Sequence, residues 1–387
     1  MYKGFFDDTL KTIFIVFICI IMSSYFSLVI TGNLNIPWGD PASRALTILD
    51  YTYFESLLLN KDAWFNSVWP PGTAFIYAIP LYLFNPSNLD NAICVMQITS
   101  LSFAYTGSFL FIFSLSSPDF DLGKKLFAYF IFICAFIFTS TSFSPMTEPL
   151  SFFLIGLAMF FVQKCVKHNS WYFALAAGAT LLTGTTVRFE FVIIAFCFGL
   201  YIFKDQTFKS VVMCLIAWSY TTVKVLYALL FVKKEDAFFS FNLTTYVFRN
   251  NEFELFLKNV FSQDPFFFYL FLLSLSLLFL SILFRKRKPS VFLFSGGAIF
   301  YLLLGIWGGF IVFCILTGRL NAQPRFMTLL LPCFAVITSH CLFSFCELLR
   351  LKPRIAYFIF KMCLYISILS FLARRLEAFR LNCVFYI

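Results

Sequence analysis

The sequence predicts an all-α fold, a polytopic transmembrane bundle of about eleven helices with interfacial helices in the first outer loop. Three observations predict it. Sixty per cent of the 387 residues are hydrophobic and only 12% are charged, against roughly 25% charged in soluble domains. Mean hydropathy is +0.86, more than one globule can hide, so lipid must be the solvent. The basic residues gather between apolar runs, as in Lys124/Lys125, Lys164/Lys167, Lys204/Lys209, Arg285 to Lys288 and Arg350/Lys352/Arg354, which is the pattern of cytoplasmic loops.

These clusters give each element a direction. Residues 12–31 form the first crossing, from an inner terminus bearing Lys3 and Lys11. The run is long enough to span and lacks an A-x-A-like cleavage site, so it reads as a helix or signal anchor. Residues 32–91 form the first outer loop. Within it, the apolar stretch 73–84 is too short to cross and stops at Asn85-Pro86-Ser87-Asn88, so it reads as interfacial or re-entrant. The crossings then alternate: 92–115 inward, 126–143 outward, 149–162 inward, 171–186 outward, 191–203 inward and 211–232 outward. Residues 233–264 form a second long outer loop, followed by 265–284 inward, 291–316 outward, 326–349 inward and 355–372 outward. If 73–84 crossed fully, Arg285 to Lys288 would land outside, against the charge bias. Arg374, Arg375 and Arg380 oppose the scheme by ending outside. The whole, residues 1–387, reads as a single transmembrane domain. Asn242-Leu243-Thr244 is a glycosylation sequon in the second outer loop.

The remaining composition excludes several functions. A net charge of +10 would suggest nucleic acid in a soluble protein, but here it is explained by the inner loops. The twelve cysteines lie mostly inside apolar runs and form no CxxC pair, so they read as small packing residues rather than a disulfide or zinc framework. His168 and His340, the two histidines, fall in different regions and make no metal site.

Ionisable side chains at a membrane are costly and are functional candidates by default. Asp40, Arg44, Asp50, Glu55, Asp62, Glu148, Arg188, Glu190, Arg319 and Arg325 all fall outside or at outer helix ends, which suggests an outward-facing cavity. Asp40 before Pro41 starts a helix, and three- and four-residue spacing sets Asp40, Arg44 and Glu55 near one face. Asp40 is either a plain cap or a carboxylate available as a general base. Trp69-Pro70-Pro71-Gly72 makes a rigid turn at the membrane surface, suited to an interfacial anchor. Glu148 before Pro149 caps a span and complements its dipole. Arg188 and Glu190 lie in a break between short spans, where they could be a simple interfacial ion pair. Arg325, in Gln323-Pro324-Arg325-Phe326, either holds a phosphate by paired hydrogen bonds or is an ordinary interface arginine.

In order and placement these pieces resemble the GT-C class of integral membrane glycosyltransferases, which use polyprenyl-phosphate sugars such as dolichyl-phosphate mannose as donors. The resemblance runs from the acidic first outer loop with Asp40 and Arg44, through Trp69-Pro70-Pro71-Gly72, Thr147-Glu148-Pro149-Leu150 and Arg188-Phe189-Glu190, to Pro324-Arg325-Phe326. It implies an inverting transfer of a single sugar, mannose among the candidates, to a lipid, glycan or protein acceptor on the non-cytosolic face. The host is then the endoplasmic reticulum membrane or a bacterial inner membrane. By resemblance, Asp40 deprotonates the acceptor hydroxyl, and Arg325, with Arg188 and Arg319, offsets charge on the donor phosphate. Glu148, with Arg44 and Glu190, orients the acceptor or a divalent cation, the one cofactor to consider. The chain departs from the family in having Gly39 before Asp40, where many members carry a second acid. The sequence shows no large soluble C-terminal domain, so a single-sugar transferase is expected rather than an oligosaccharyltransferase.

Two other readings stand beside it. A transporter or lipid flippase often shows internal repeats and broken helices. No repeat is evident here, and Lys224 and Lys361 are the ionisable exceptions within spans. A non-catalytic GT-C-like subunit would explain the missing second acid.

Overall fold

The structure, a computed structural model, describes residues 72–87, 89–115, 122–135, 147–231, 265–285, 302–316 and 329–348, with single or short stretches at 254, 258, 351, 355, 358–363, 365–366 and 369. Among them there are eleven helical segments and no strand. In chain order they are α1 (Gly72–Phe84), α2 (Leu89–Leu115), α3 (Leu122–Ile133), α4 (Thr147–His168), α5 (Trp171–Thr185), α6 (Phe191–Phe203), α7 (Thr207–Phe231), α8 (Pro265–Arg285), a π-helical turn (Leu303–Gly308) running into α9 (Gly309–Leu316), and α10 (Leu331–Leu348). The all-helical bundle expected from composition is therefore the fold observed. The expected crossing 12–31, most of the loop 32–91 and nearly all of 233–264 lie outside the described residues.

Three stretches, Asn91–Leu115, Thr147–His168 and Thr207–Tyr227, are long and apolar enough to cross a bilayer. This chain is a membrane protein. The helix Gly72–Phe84 has 13 residues and rises about 20 Å, short of a hydrocarbon core of about 30 Å. The helix α6 is equally short, with 13 residues, so the polar turns at its two ends are close together. Such groups must be satisfied within the protein, and both turns are. At one end Arg188 meets two carboxylates. At the other, Gln206 Nε2 donates to the carbonyls of Cys165 and Val166 at 3.2 and 3.4 Å.

Helix directions follow from residue pairing. Along α2 and α4, Phe103 lies 5.2 Å from Phe153 between ring centroids, and the Gln163 side chain donates to the Ser114 carbonyl. Numbers rise together, so the two helices are parallel, as one intervening crossing requires. They meet at glycines. A Cβ on Gly107 would lie 2.2 Å from the Phe153 nitrogen, and one on Gly156 would lie 2.6 Å from the Gly107 carbonyl oxygen. Only small residues let backbones approach this closely, and in lipid such packing replaces the missing hydrophobic drive. The helices α5 and α7 are also parallel: Trp171 meets Phe208, and Thr185 Oγ1 donates to the Ala217 carbonyl at 3.4 Å. Running against α7, α6 receives the Ser210 hydroxyl on the Gly199 carbonyl at 2.7 Å and the Trp218 indole N–H on the Val192 carbonyl at 3.0 Å.

Some boundaries differ from the sequence reading. The helix α3 starts at Leu122, so Lys124 and Lys125 sit in its first turn instead of a loop. Their stems lie along apolar surface, with ammoniums 5.3 and 5.9 Å from the Phe343 and Phe113 centroids. At its start α7 takes in Lys209, which is buried. The turn at Leu303–Gly308 is π-helical, which periodicity did not signal.

Candidate functional site

Two strand-free turns build the site. The first is the start of α4. Glu148 occupies its first turn, where a carboxylate complements the positive end of the helix dipole, and the Ser151 hydroxyl ties back to the Thr147 carbonyl at 2.6 Å. The second is the break between α5 and α6. Thr185 and Thr186 turn their hydroxyls onto the Leu182 and Thr183 carbonyls, both at 2.7 Å, a local bond that competes with helix continuation. The amides of Val187 and Arg188 both donate to the Gly184 carbonyl at 2.9 Å. The chain then folds back so tightly that a Cβ on Gly184 would lie 2.1 Å from the Phe191 ring.

Arg188 joins these turns. Its Nη1 donates to Glu148 Oε1 at 2.9 Å and to Thr147 Oγ1 at 3.2 Å. Its Nε and Nη2 donate to Glu190 Oε1 at 3.1 and 2.5 Å. Thr147 in turn donates to Glu148 Oε2 at 3.3 Å. Fractional exposures of 1% for Glu148, 9% for Arg188 and 22% for Glu190 make this a buried, doubly paired arginine. Burial alone would lower the arginine's pKa. The Glu190 and Glu148 carboxylates outweigh burial and raise it, so Arg188 is a permanent cation. The trio carries one negative charge overall, taking both glutamates as ionised.

Beside it, the Gly72 amide donates to the Thr186 carbonyl at 2.8 Å. A Cβ on Gly72 would lie 2.1 Å from Thr186 Oγ1 and 2.5 Å from the Thr186 carbonyl oxygen. The end of the Trp69-Pro70-Pro71-Gly72 motif is thus docked two residues from Arg188. Of the residues that the sequence singled out, the structure brings together Glu148, Arg188 and Glu190. Asp40, Arg44, Arg319 and Arg325 lie outside the described residues. Two participants were not anticipated. Thr147 stood in the Thr147-Glu148-Pro149-Leu150 motif with no role of its own, and nothing in the sequence pairs Gly72 with Thr186. Among the described residues no three His, Cys, Asp or Glu side chains gather as a metal site. Glu148 and Glu190 converge on a guanidinium, which does not fit a divalent cation in the same place.

No family model matches the chain, and no curated protein matches it in sequence. In structure it is similar to the oligosaccharyltransferase of Archaeoglobus fulgidus in its apo form, with a TM-score of 0.50 and 13% identity over 89% of this chain and 54% of that one. The fold is like that enzyme's. The chain spans about half the length of that enzyme, and at such identity the likeness concerns the fold alone.

Proposed function

We propose that this chain is a membrane glycosyltransferase that moves a single sugar from a polyprenyl-phosphate donor to a lipid, glycan or protein acceptor on the non-cytosolic face. The observation that carries the proposal is the buried Glu148–Arg188–Glu190 cluster at one end of a helical bundle like that of an oligosaccharyltransferase, with Gly72, the first residue of α1, docked beside it. A buried, preorganised set of charges next to a membrane surface is what stabilisation of a developing charge needs. The sequence supplies the rest. Asp40, in the first outer loop that also contains Gly72, takes the proton of the acceptor hydroxyl. The oxygen then attacks the anomeric carbon, the bond to the phosphate oxygen breaks, and the configuration inverts. Arg325, with Arg319, balances the departing phosphate. Glu148 orients the acceptor, and Arg188 holds Glu148 and Glu190 in place. With four hydrogen bonds to Glu148, Thr147 and Glu190, Arg188 reaches a phosphate only by exchanging one of them. Mannose is the first sugar to try.

The test is transfer from a panel of radiolabelled polyprenyl-phosphate sugars, mannose first, to endogenous acceptors in membranes with matched protein levels. Asp40→Asn, which removes the base, should abolish transfer, and Glu148→Gln should reduce it by 100-fold or so, as misplacing a reactant by about 1 Å does. Transfer undiminished by Asp40→Asn would overturn the assignment. Solute or lipid flux in proteoliposomes without any transfer would favour a transporter.

A further inference from the structure

The opposite end of the same helices carries a second built feature. Two turns meet there, one between α4 and α5 and one between α6 and α7. Gln206 ties the second turn to the α4 end through the Cys165 and Val166 carbonyls. Lys209 Nζ donates to the Asn169 carbonyl at 2.7 Å and also to its side-chain oxygen. The ammonium of Lys209 lies 5.6 Å from the Trp171 ring centroid, and Trp171 meets Phe208 edge-on at 5.5 Å. Asn169 has a φ of 51°, a left-handed value that asparagine tolerates and that lets α4 turn directly into α5. One cation is thereby consumed inside the platform, and the two turns are fixed to each other.

What remains faces outward. Lys167 and Lys204 are exposed. So are the rings of Trp171, Tyr172 and Phe208, the last two about 70% exposed. Asp205 is the acidic side chain on these turns. Exposed aromatic rings at the ends of spanning helices suit the headgroup level of a bilayer. Basic side chains at that level are drawn to anionic lipid, each strengthening binding roughly fivefold. We infer that this platform is a docking surface for anionic phospholipid headgroups, in the leaflet opposite the Glu148–Arg188–Glu190 cluster. The charges match, and the exposed lysines and rings all lie on these two turns or the helix ends that flank them. This inference is independent of the glycosyltransferase proposal.

The experiment is native mass spectrometry of the full chain in detergent micelles, titrated with phosphatidylglycerol or phosphatidylcholine. The wild-type chain should bind phosphatidylglycerol more tightly. Lys167→Gln with Lys204→Gln should weaken that binding by roughly 30-fold and leave phosphatidylcholine unchanged. Lys167→Arg with Lys204→Arg should restore it. A charge-matched control, Lys258→Gln with Lys361→Gln, should retain the preference. The inference is overturned if the wild-type chain shows no preference, if the glutamine variant keeps it, or if the control loses as much. Displacement of the lipid by millimolar inorganic phosphate would overturn it too, marking a site for free anions.

Discussion

Replacing Arg188 with methionine keeps much of the side-chain volume and removes the charge on which two carboxylates converge. Glu148 is 1% exposed, so it would be left buried without this cation. Breaking a buried ion pair from one side costs about 3–5 kcal/mol. Glu190, at 22% exposure, keeps access to solvent, so Glu190→Gln should cost about 1 kcal/mol or less. Removing both partners spares the uncompensated charge. The double variant Glu148→Gln/Arg188→Met should therefore cost about 2 kcal/mol less than the two single variants added together, the size of coupling found between residues in one network. The assay is reversible denaturant unfolding in mixed micelles, followed by tryptophan fluorescence. A difference of 1.4 kcal/mol is tenfold in the folded ratio, so these effects are well resolved. The reasoning would be refuted if Arg188→Met lay within about 1 kcal/mol of the wild-type chain, since loss of one partner of a buried pair cannot be so mild. Strict additivity of the two single variants would refute it equally.

The glycine contacts make a contrast in the same assay. Gly107→Ala places a methyl 2.2–2.4 Å from the Phe152 and Phe153 backbone and should destabilise by about 1–3 kcal/mol as α2 and α4 are forced apart. Gly305→Ala meets nothing within 4 Å among the described residues and should change stability by less than about 0.5 kcal/mol. Gly72→Ala drives a methyl into Thr186. Under the proposed function it displaces part of the first outer loop, which carries Asp40, and a shift of about 1 Å should lower sugar transfer roughly 100-fold, measured at matched membrane levels. Lys209→Met loses charged hydrogen bonds to Asn169 and should cost about 1.5–3 kcal/mol. A loss below 0.5 kcal/mol on the denaturant scale would mean that the two turns are held by their other contacts.

Several elements were legible because one local rule governs each. The helix Phe191–Phe203 was read with its observed bounds, because charges at both ends of an apolar run leave one place for it. The break before it was read to within one residue, since α5 ends at Thr185. The start of α4 was legible from Glu148 and Pro149. Less was legible where a side chain's length blurs the boundary. Lysine stems can lie along a helix while their ammoniums find rings or carbonyls, so Lys124 and Lys209 belong to helices that composition had begun later, at 126 and 211.

By itself the sequence determined that this chain is a helical membrane protein with its polar chemistry gathered at helix ends. That follows from length and solvation: a crossing needs about 20 apolar residues, and charges are kept out of lipid. Tertiary structure decided which ends meet. Arg188 reaches Glu148 across 40 residues of sequence, Gly72 docks on Thr186, and α2 and α4 touch at Gly107 and Gly156. Helices that are apolar all round carry no stripe to name a partner. In lipid their pairing is set by close backbone approach and buried polar bonds, which exist only once the helices are side by side.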